Sequence, residues 1–83
     1  DLVARRGDLV VFVEVKRRAT LAAAAEAVTT TNRARVVRAA EQYRARHPEL
    51  AACTARFDAV LLAPWTAPRH VQGAWEADVG VRA

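Results

Sequence analysis

The chain has 83 residues, of which 53% are hydrophobic, and a formal net charge of +4 at pH 7. This length is enough for one small domain that buries little more than about 60% of its unfolded surface, and a single cysteine excludes an intramolecular disulfide. No apolar run approaches the roughly 18 residues of a membrane-spanning helix, so we expect a cytoplasmic protein with no membrane partner. The basic balance is compatible with a polyanionic partner.

The most informative stretch is a β-hairpin predicted at residues 1–18. Its second arm, residues 9–16, is apolar and β-branched up to Glu14, which is the pattern of a buried strand. A side-chain period of two places Glu14 and Lys16 on the same face. Gly7 and Asp8 fit a two-residue type II′ turn, because the first turn position needs a positive φ. In that register paired residue numbers sum to fifteen, and Asp1 is predicted to lie opposite Glu14.

This register predicts a site with two carboxylates. Side chains that face each other across the hairpin are about 5 Å apart, and two carboxylates at that distance repel each other unless a cation lies between them. A metal ion or Lys16 is the natural cation. Lys16 is the only lysine beside twelve arginines, and a compact ammonium in place of a planar guanidinium indicates a chemical role. A three-residue turn would move Asp1 to the other face and remove the site.

Downstream of the hairpin the sequence predicts a connector, one helix, one strand and a short edge strand. Residues 19–28 are alanine-rich without an apolar stripe, which predicts a connector with at most a helical turn. Hydroxyl side chains at residues 29–31 can cap a helix at residues 32–46 that ends before Pro48. Residues 56–63 read as a second buried strand and residues 69–75 as an edge strand. We interpret Asp58 as a polar residue near a strand end and His70 as isolated.

The predicted helix has a core-facing stripe and a basic flank. Val36, Ala40 and Tyr43 form the stripe. The flank, which we predict to bind nucleic acid, consists of Arg35, Arg38, Gln42 and Arg46. Two interpretations of this flank stay open. It is either a solvated face whose charge Glu41 partly neutralises, or a surface that contacts phosphates.

An aspartate followed by a strand that ends in Glu-X-Lys is the pattern of metal-dependent nucleases. Mg²⁺, or Mn²⁺ in its place, prefers oxygen ligands, which Asp1, Glu14 and the Val15 carbonyl can supply. We expect Asp1, Glu14 and Lys16 to be the catalytic residues, with Lys16 orienting a water or offsetting transition-state charge. The predicted function is hydrolysis of DNA phosphodiester bonds. The alternative is a nucleic-acid-binding or structural domain without catalysis on the same fold.

Three segments resemble the YraN-type family of uncharacterised bacterial proteins, which is similar to Holliday-junction resolvases and belongs to the restriction-endonuclease-like superfamily. They are residues 1–18, 25–50 and 56–62. The resemblance implies an α/β restriction-endonuclease-like core in which a mixed sheet contains an N-terminal hairpin, with one main helix and a further strand. It also implies that Asp1, Glu14 and Lys16 occupy catalytic positions, and that phosphodiester bonds are hydrolysed with Mg²⁺. From these residues and the arginine flank we expect the substrate to be branched or structured DNA.

The chain departs from this family pattern in several places. The family has a helix carrying a glutamate, a strand and a Gly-Glu-Ile before the aspartate, so we expect residues 1–83 to be one nuclease-like domain without its N-terminal helix and strand. The connector lacks the glycine expected between residues 18 and 26, and Asn32 replaces a basic residue. One face of the sheet is predicted to be uncovered, which a missing helix or the second subunit of a homodimer would cover.

Overall fold

The computed structural model describes residues 2–76, which form a four-stranded sheet with helices on one face. In chain order the elements are β1 (Leu2–Arg6), β2 (Leu9–Arg17), α1 (Leu21–Glu26), α2 (Thr30–Arg46), a 3-10 turn (Pro48–Leu50), β3 (Thr54–Leu62) and β4 (Arg69–Trp75). The strand order is β1-β2-β3-β4; the outer pairs are antiparallel and β2 is parallel to β3. The predicted α/β class, with a mixed sheet and an N-terminal hairpin, is confirmed.

The hairpin has the predicted register. Leu2 pairs with Val13 and Arg6 pairs with Leu9, so the described pairs sum to fifteen. Gly7 has a φ of +59°, whereas Asp8 is not in the left-handed region. This combination is the one expected for a type II′ turn, in which glycine takes the positive φ without a steric cost. Asp1 lies outside the described residues, so its place opposite Glu14 stays a prediction.

Both helices pack on the same face of the sheet. Alternation along the strands directs Phe12, Phe57 and Trp75 to this side. Phe57 stacks on the other two rings, with centroid separations of 5.7 Å in each case. The helices close this core with Ala24, Val36, Val37 and Ala40, and Val28 joins them from the segment between the two helices. The predicted stripe of α2 is therefore present, although Tyr43 is only partly buried.

The segment before the main helix is more ordered than predicted. Residues 21–26 form helix α1, and the hydroxyl of Thr20 accepts a hydrogen bond of 3.0 Å from the Ala23 N–H. The main helix begins at Thr30, two residues earlier than predicted, and Thr29 is the expected hydroxyl cap, accepting from the Asn32 N–H at 3.2 Å. A connector was predicted because alanines give no visible stripe, but the small side chains let α1 approach the sheet closely.

The last two strands are joined by an irregular ladder. Phe57 pairs with Trp75 and Ala59 pairs with Val71, so an advance of two residues along β3 corresponds to four residues along β4. Gly73 lies within this bulge and has a φ of +59°. Strand β4 spans the predicted residues, and β3 begins two residues earlier than predicted.

The other sheet face carries none of the helices in residues 2–76, all of which contribute to the single core cluster. Val11 and Val13 point to that face and are nevertheless buried. Within residues 2–76 no helix has the length and apolar character needed to cross a bilayer.

Candidate metal and nucleic-acid site

The site is built around Glu14, which lies near the end of β2 and points to the helix-covered side of the sheet. The alternation that directs Phe12 into the core also directs Glu14 and Lys16 to this side. The Glu14 side chain is 1% exposed, and Lys16 is 18% exposed. Taking a carboxylate out of water is costly unless positive partners surround it. The sequence prediction that these two residues share a face is thus realised in a buried setting.

Two cations contact one oxygen of Glu14 and leave the other oxygen unpaired. The Nη2 of Arg35 donates to Oε2 at 3.0 Å, and the Nζ of Lys16 lies 3.9 Å from the same oxygen. Within residues 2–76, Oε1 is buried and has no hydrogen-bond partner. Buried polar atoms are nearly always paired, because an unmade bond costs about 1–3 kcal/mol. The Oε1 atom therefore indicates where a ligand would bind.

Glu14 and Val15 are the described members of the ligand set predicted for a hard divalent cation. Mg²⁺ is commonly held by one or two carboxylates and keeps several waters, so a dense cluster of ligands is not needed. No group of three or more His, Cys, Asp or Glu side chains in residues 2–76 is placed to hold a metal. Glu14 supplies one unpaired carboxylate oxygen, and Val15 follows it on β2. Asp1 lies outside the described residues, and the proposed ligand set stays a prediction.

The predicted nucleic-acid-binding residues lie together on one face of α2. Arg35, Arg38, Gln42 and Arg46 are all exposed and span about 16 Å at 1.5 Å per residue. In residues 2–76, the side chains of Arg38, Gln42 and Arg46 make no hydrogen bond or ion pair, and Glu41 pairs with neither neighbouring arginine. Positive charge is thus exposed along this flank, and Arg35 connects the flank to Glu14.

The arginines on the other flank of α2 have structural partners. Arg44 Nη2 donates to the carbonyl oxygens of Cys53 at 2.7 Å and Leu50 at 3.3 Å, which ties the helix end to the segment before β3. The guanidinium of Arg33 lies 6.0 Å from the centre of the Trp75 ring. These two arginines face away from Glu14, and within residues 2–76 the buried Nε of Arg33 has no hydrogen-bond partner.

Sequence reasoning missed a second buried carboxylate. Asp58 is fully buried in the middle of β3, so its interpretation as a strand-end residue was wrong. Its Oδ1 accepts from Arg56 Nε and the Gly73 N–H, both at 2.9 Å. Its Oδ2 accepts from Arg56 Nη2 at 2.9 Å and lies 2.8 Å from His70 Nε2. His70 is therefore not isolated, and the cluster fastens β4 to β3.

The surroundings of Asp58 keep it ionised. Burial alone raises the pKa of Asp58, but the hydrogen bonds from Arg56, Gly73 and His70 outweigh burial and hold the pKa below its ordinary value. The hydrogen bond between Arg56 and Asp58 also raises the pKa of Arg56. A sequence signal for this pair existed, because an aspartate interrupts an apolar strand and an arginine two residues earlier shares its face.

Comparison with known proteins supports the resemblance seen in the sequence. A family model described as Uncharacterised protein family UPF0102 matches residues 1–62. The chain belongs to this family. The UPF0102 protein of Paramagnetospirillum magneticum is 62% identical over 78 residues, which cover 94% of this chain and 60% of that protein. The UPF0102 protein of Rhodopseudomonas palustris is 56% identical over 77 residues, which cover 93% of this chain and 59% of that protein.

A third UPF0102 protein, from Methylocella silvestris, is 50% identical over 80 residues, which cover 96% of this chain and 64% of that protein. The chain thus spans about three-fifths of the length of these relatives. The predicted membership of the YraN-type family is confirmed. Because UPF0102 is described as uncharacterised, function has to be inferred from the site.

Proposed function

We propose that this protein is a metal-dependent nuclease with a restriction-endonuclease-like core that hydrolyses phosphodiester bonds in DNA, with branched or structured DNA as the expected substrate. The observation that carries the proposal is the state of Glu14. Asp58 shows how this protein pairs a structural carboxylate, with donors on both oxygens. Glu14 is equally buried, but one of its oxygens is left unpaired. That oxygen is better explained by a ligand than by a structural role.

The arrangement of strands supports the finer fold assignment. A hairpin places Glu14 and Lys16 at the end of its second strand, and the chain then crosses through two helices to the parallel strand β3. A restriction-endonuclease-like core is expected to contain such a mixed sheet, with its acidic residues at the end of a central strand.

Each residue of the site has a role in this proposal. A bound divalent cation would polarise the scissile phosphate and lower the pKa of a bound water. Glu14 would hold the cation together with Asp1 and the Val15 carbonyl. Lys16, 3.9 Å from Glu14 Oε2, would orient the attacking water or neutralise charge that develops on the phosphate. The exposed arginines of α2 would bind the phosphate backbone and orient the substrate.

Cleavage assays with matched variants test the proposal. The chain is incubated with Mg²⁺ or Mn²⁺ and a panel of branched, nicked and single-stranded DNA. We expect metal-dependent cleavage that falls about 100-fold or more in Glu14→Gln and in Lys16→Ala, because each change removes a group that stabilises the transition state. Glu41→Gln makes the same chemical change at an exposed position of α2 and should cleave normally. No cleavage by the unmodified chain, or equal cleavage by Lys16→Ala, contradicts the proposal.

A second candidate function is binding of nucleic acid without hydrolysis. It is favoured by the two cations already on Glu14 Oε2, which let the carboxylate act as a structural counter-ion while the exposed flank of α2 binds phosphates. This function predicts salt-dependent DNA affinity that survives Glu14→Gln. It also predicts no rise in thermal stability when Mg²⁺ is titrated, whereas a metal that binds only the folded state must raise it.

A further inference from the structure

We propose that Arg35 is the exchangeable counter-ion of Glu14. It pairs with the carboxylate while no metal is bound, and it moves to a substrate phosphate when a metal takes its place. This inference rests on the proposed nuclease function, because it assigns a switching role within the same site.

The geometry of the ion pair makes it exchangeable. Arg35 uses a single nitrogen, Nη2, for both Glu14 Oε2 at 3.0 Å and Asn32 Oδ1 at 3.3 Å. By contrast, Arg56 grips Asp58 with two nitrogens, each at 2.9 Å. Two-point pairs are stronger and more rigid than contacts through one nitrogen. The Arg35 contact is therefore the weaker of the two arginine–carboxylate pairs.

The exposure of the two partners decides which of them moves. The Arg35 side chain is 53% exposed, whereas Glu14 is 1% exposed. The guanidinium can therefore swing into solvent when it leaves Glu14, while the carboxylate stays in place. Arg38 lies three residues further along the same helix face, so the released Arg35 side chain would extend the row of phosphate-binding groups.

The charge balance supplies the driving force. In the structure Glu14 faces two cations, Arg35 and Lys16. A divalent cation at Oε1 would crowd a third cationic group around a single carboxylate, and like charges at such distances repel. Arg35 is the more exposed of the two side chains and is the one expected to leave.

The proposal has a thermodynamic signature, because two cations that compete for one carboxylate oppose each other's binding. Arg35→Gln should therefore tighten metal binding in the absence of DNA. It should weaken DNA binding only when metal is present, since Arg35 is held by Glu14 when metal is absent. A residue that merely holds Glu14 in position would give the opposite sign for metal affinity.

The experiment measures both affinities in matched variants at pH 8. Calorimetry with Mn²⁺ is expected to show about three- to tenfold tighter binding by Arg35→Gln and by Arg35→Ala, the size of an ion pair with one exposed partner. Arg38→Gln, on the same flank but without contact to Glu14, should bind Mn²⁺ as the unmodified chain does. Circular dichroism confirms folding, and alanine, a strong helix former, provides a second variant at this position.

DNA affinity is measured by fluorescence anisotropy with a branched DNA, in EDTA and within seconds of mixing with Mn²⁺ at 4 °C. Arg35→Gln should lose about threefold or more in affinity with Mn²⁺ and almost nothing in EDTA, whereas Arg38→Gln should lose the same factor in both. Weaker metal binding by the Arg35 variants, or an equal loss of DNA affinity in both conditions, overturns the inference. If the unmodified chain binds Mn²⁺ and the Arg35 variants bind it no more tightly, the inference about Arg35 is wrong and the proposed function stands. If no saturable metal binding is measured at all, the proposed function is wrong as well.

Discussion

Replacing Asp58 with asparagine tests the buried cluster that joins the last two strands. The side chain accepts contacts from four nitrogen atoms, two on each oxygen. An amide leaves only one acceptor oxygen and turns an NH₂ group toward donors, so at least two contacts are lost. Each is worth about 1–1.5 kcal/mol after a discount for the exposure of Arg56 and His70. We expect a loss of about 2–3 kcal/mol in the free energy of unfolding, or about 8–24 °C in Tm.

Urea denaturation followed by circular dichroism measures this loss, with Asp8→Asn as the control. Asp8 is exposed in the hairpin turn, and the same chemical change there should alter stability by less than about 0.5 kcal/mol. A loss for Asp58→Asn as small as the one expected for Asp8→Asn would refute the reasoning, because it would show that the buried cluster contributes little to the strand pairing.

The difference between Asp58→Asn and the unmodified chain should also depend on pH. The folded state holds the pKa of Asp58 below its ordinary value, so the charged form stabilises the fold above the unfolded pKa of about 3.9. That contribution is lost as the pH falls below about 4 toward the lowered folded pKa. Unfolding curves between pH 3 and 7 should therefore converge at the acidic end, and a difference that grows as the pH falls would contradict the lowered pKa.

Three further predictions concern the backbone, the main helix and its basic flank. Gly73→Ala should lower Tm through backbone strain of about 1–2 kcal/mol, because φ at this position is +59°. A new Cβ meets no atom within 4 Å, so strain is the only cost, and Gly73→Asn should lower Tm less. Thr29→Ala should cost about 1 kcal/mol in urea denaturation through the lost cap, whereas Thr31→Ala should be neutral. Arg38→Gln and Arg46→Gln should each reduce the slope of log K against log salt for DNA by about 1, and unchanged slopes would exclude phosphate contacts.

Much of the fold was predictable because its signals are local. The Gly7-Asp8 turn sets the hairpin register over a few residues, and the period of two then decides which side chains share a face. The hydroxyl cap at Thr29 and the proline after the helix mark the ends of α2 in the same local way. Helix α1 escaped prediction because small alanine side chains carry no periodic signal, although Ala24 packs in the core.

Only part of the candidate site could be predicted from the sequence. The sequence by itself determined that Glu14 and Lys16 share a face and that an exposed basic flank runs along α2. Tertiary structure decided that Arg35, 21 residues from Glu14, pairs with it and leaves one oxygen free. It also decided that His70 reaches Asp58 across the β3–β4 ladder. Such contacts depend on strand order, on the bulge and on where the helix crosses the sheet, and no local periodicity in the chain records them.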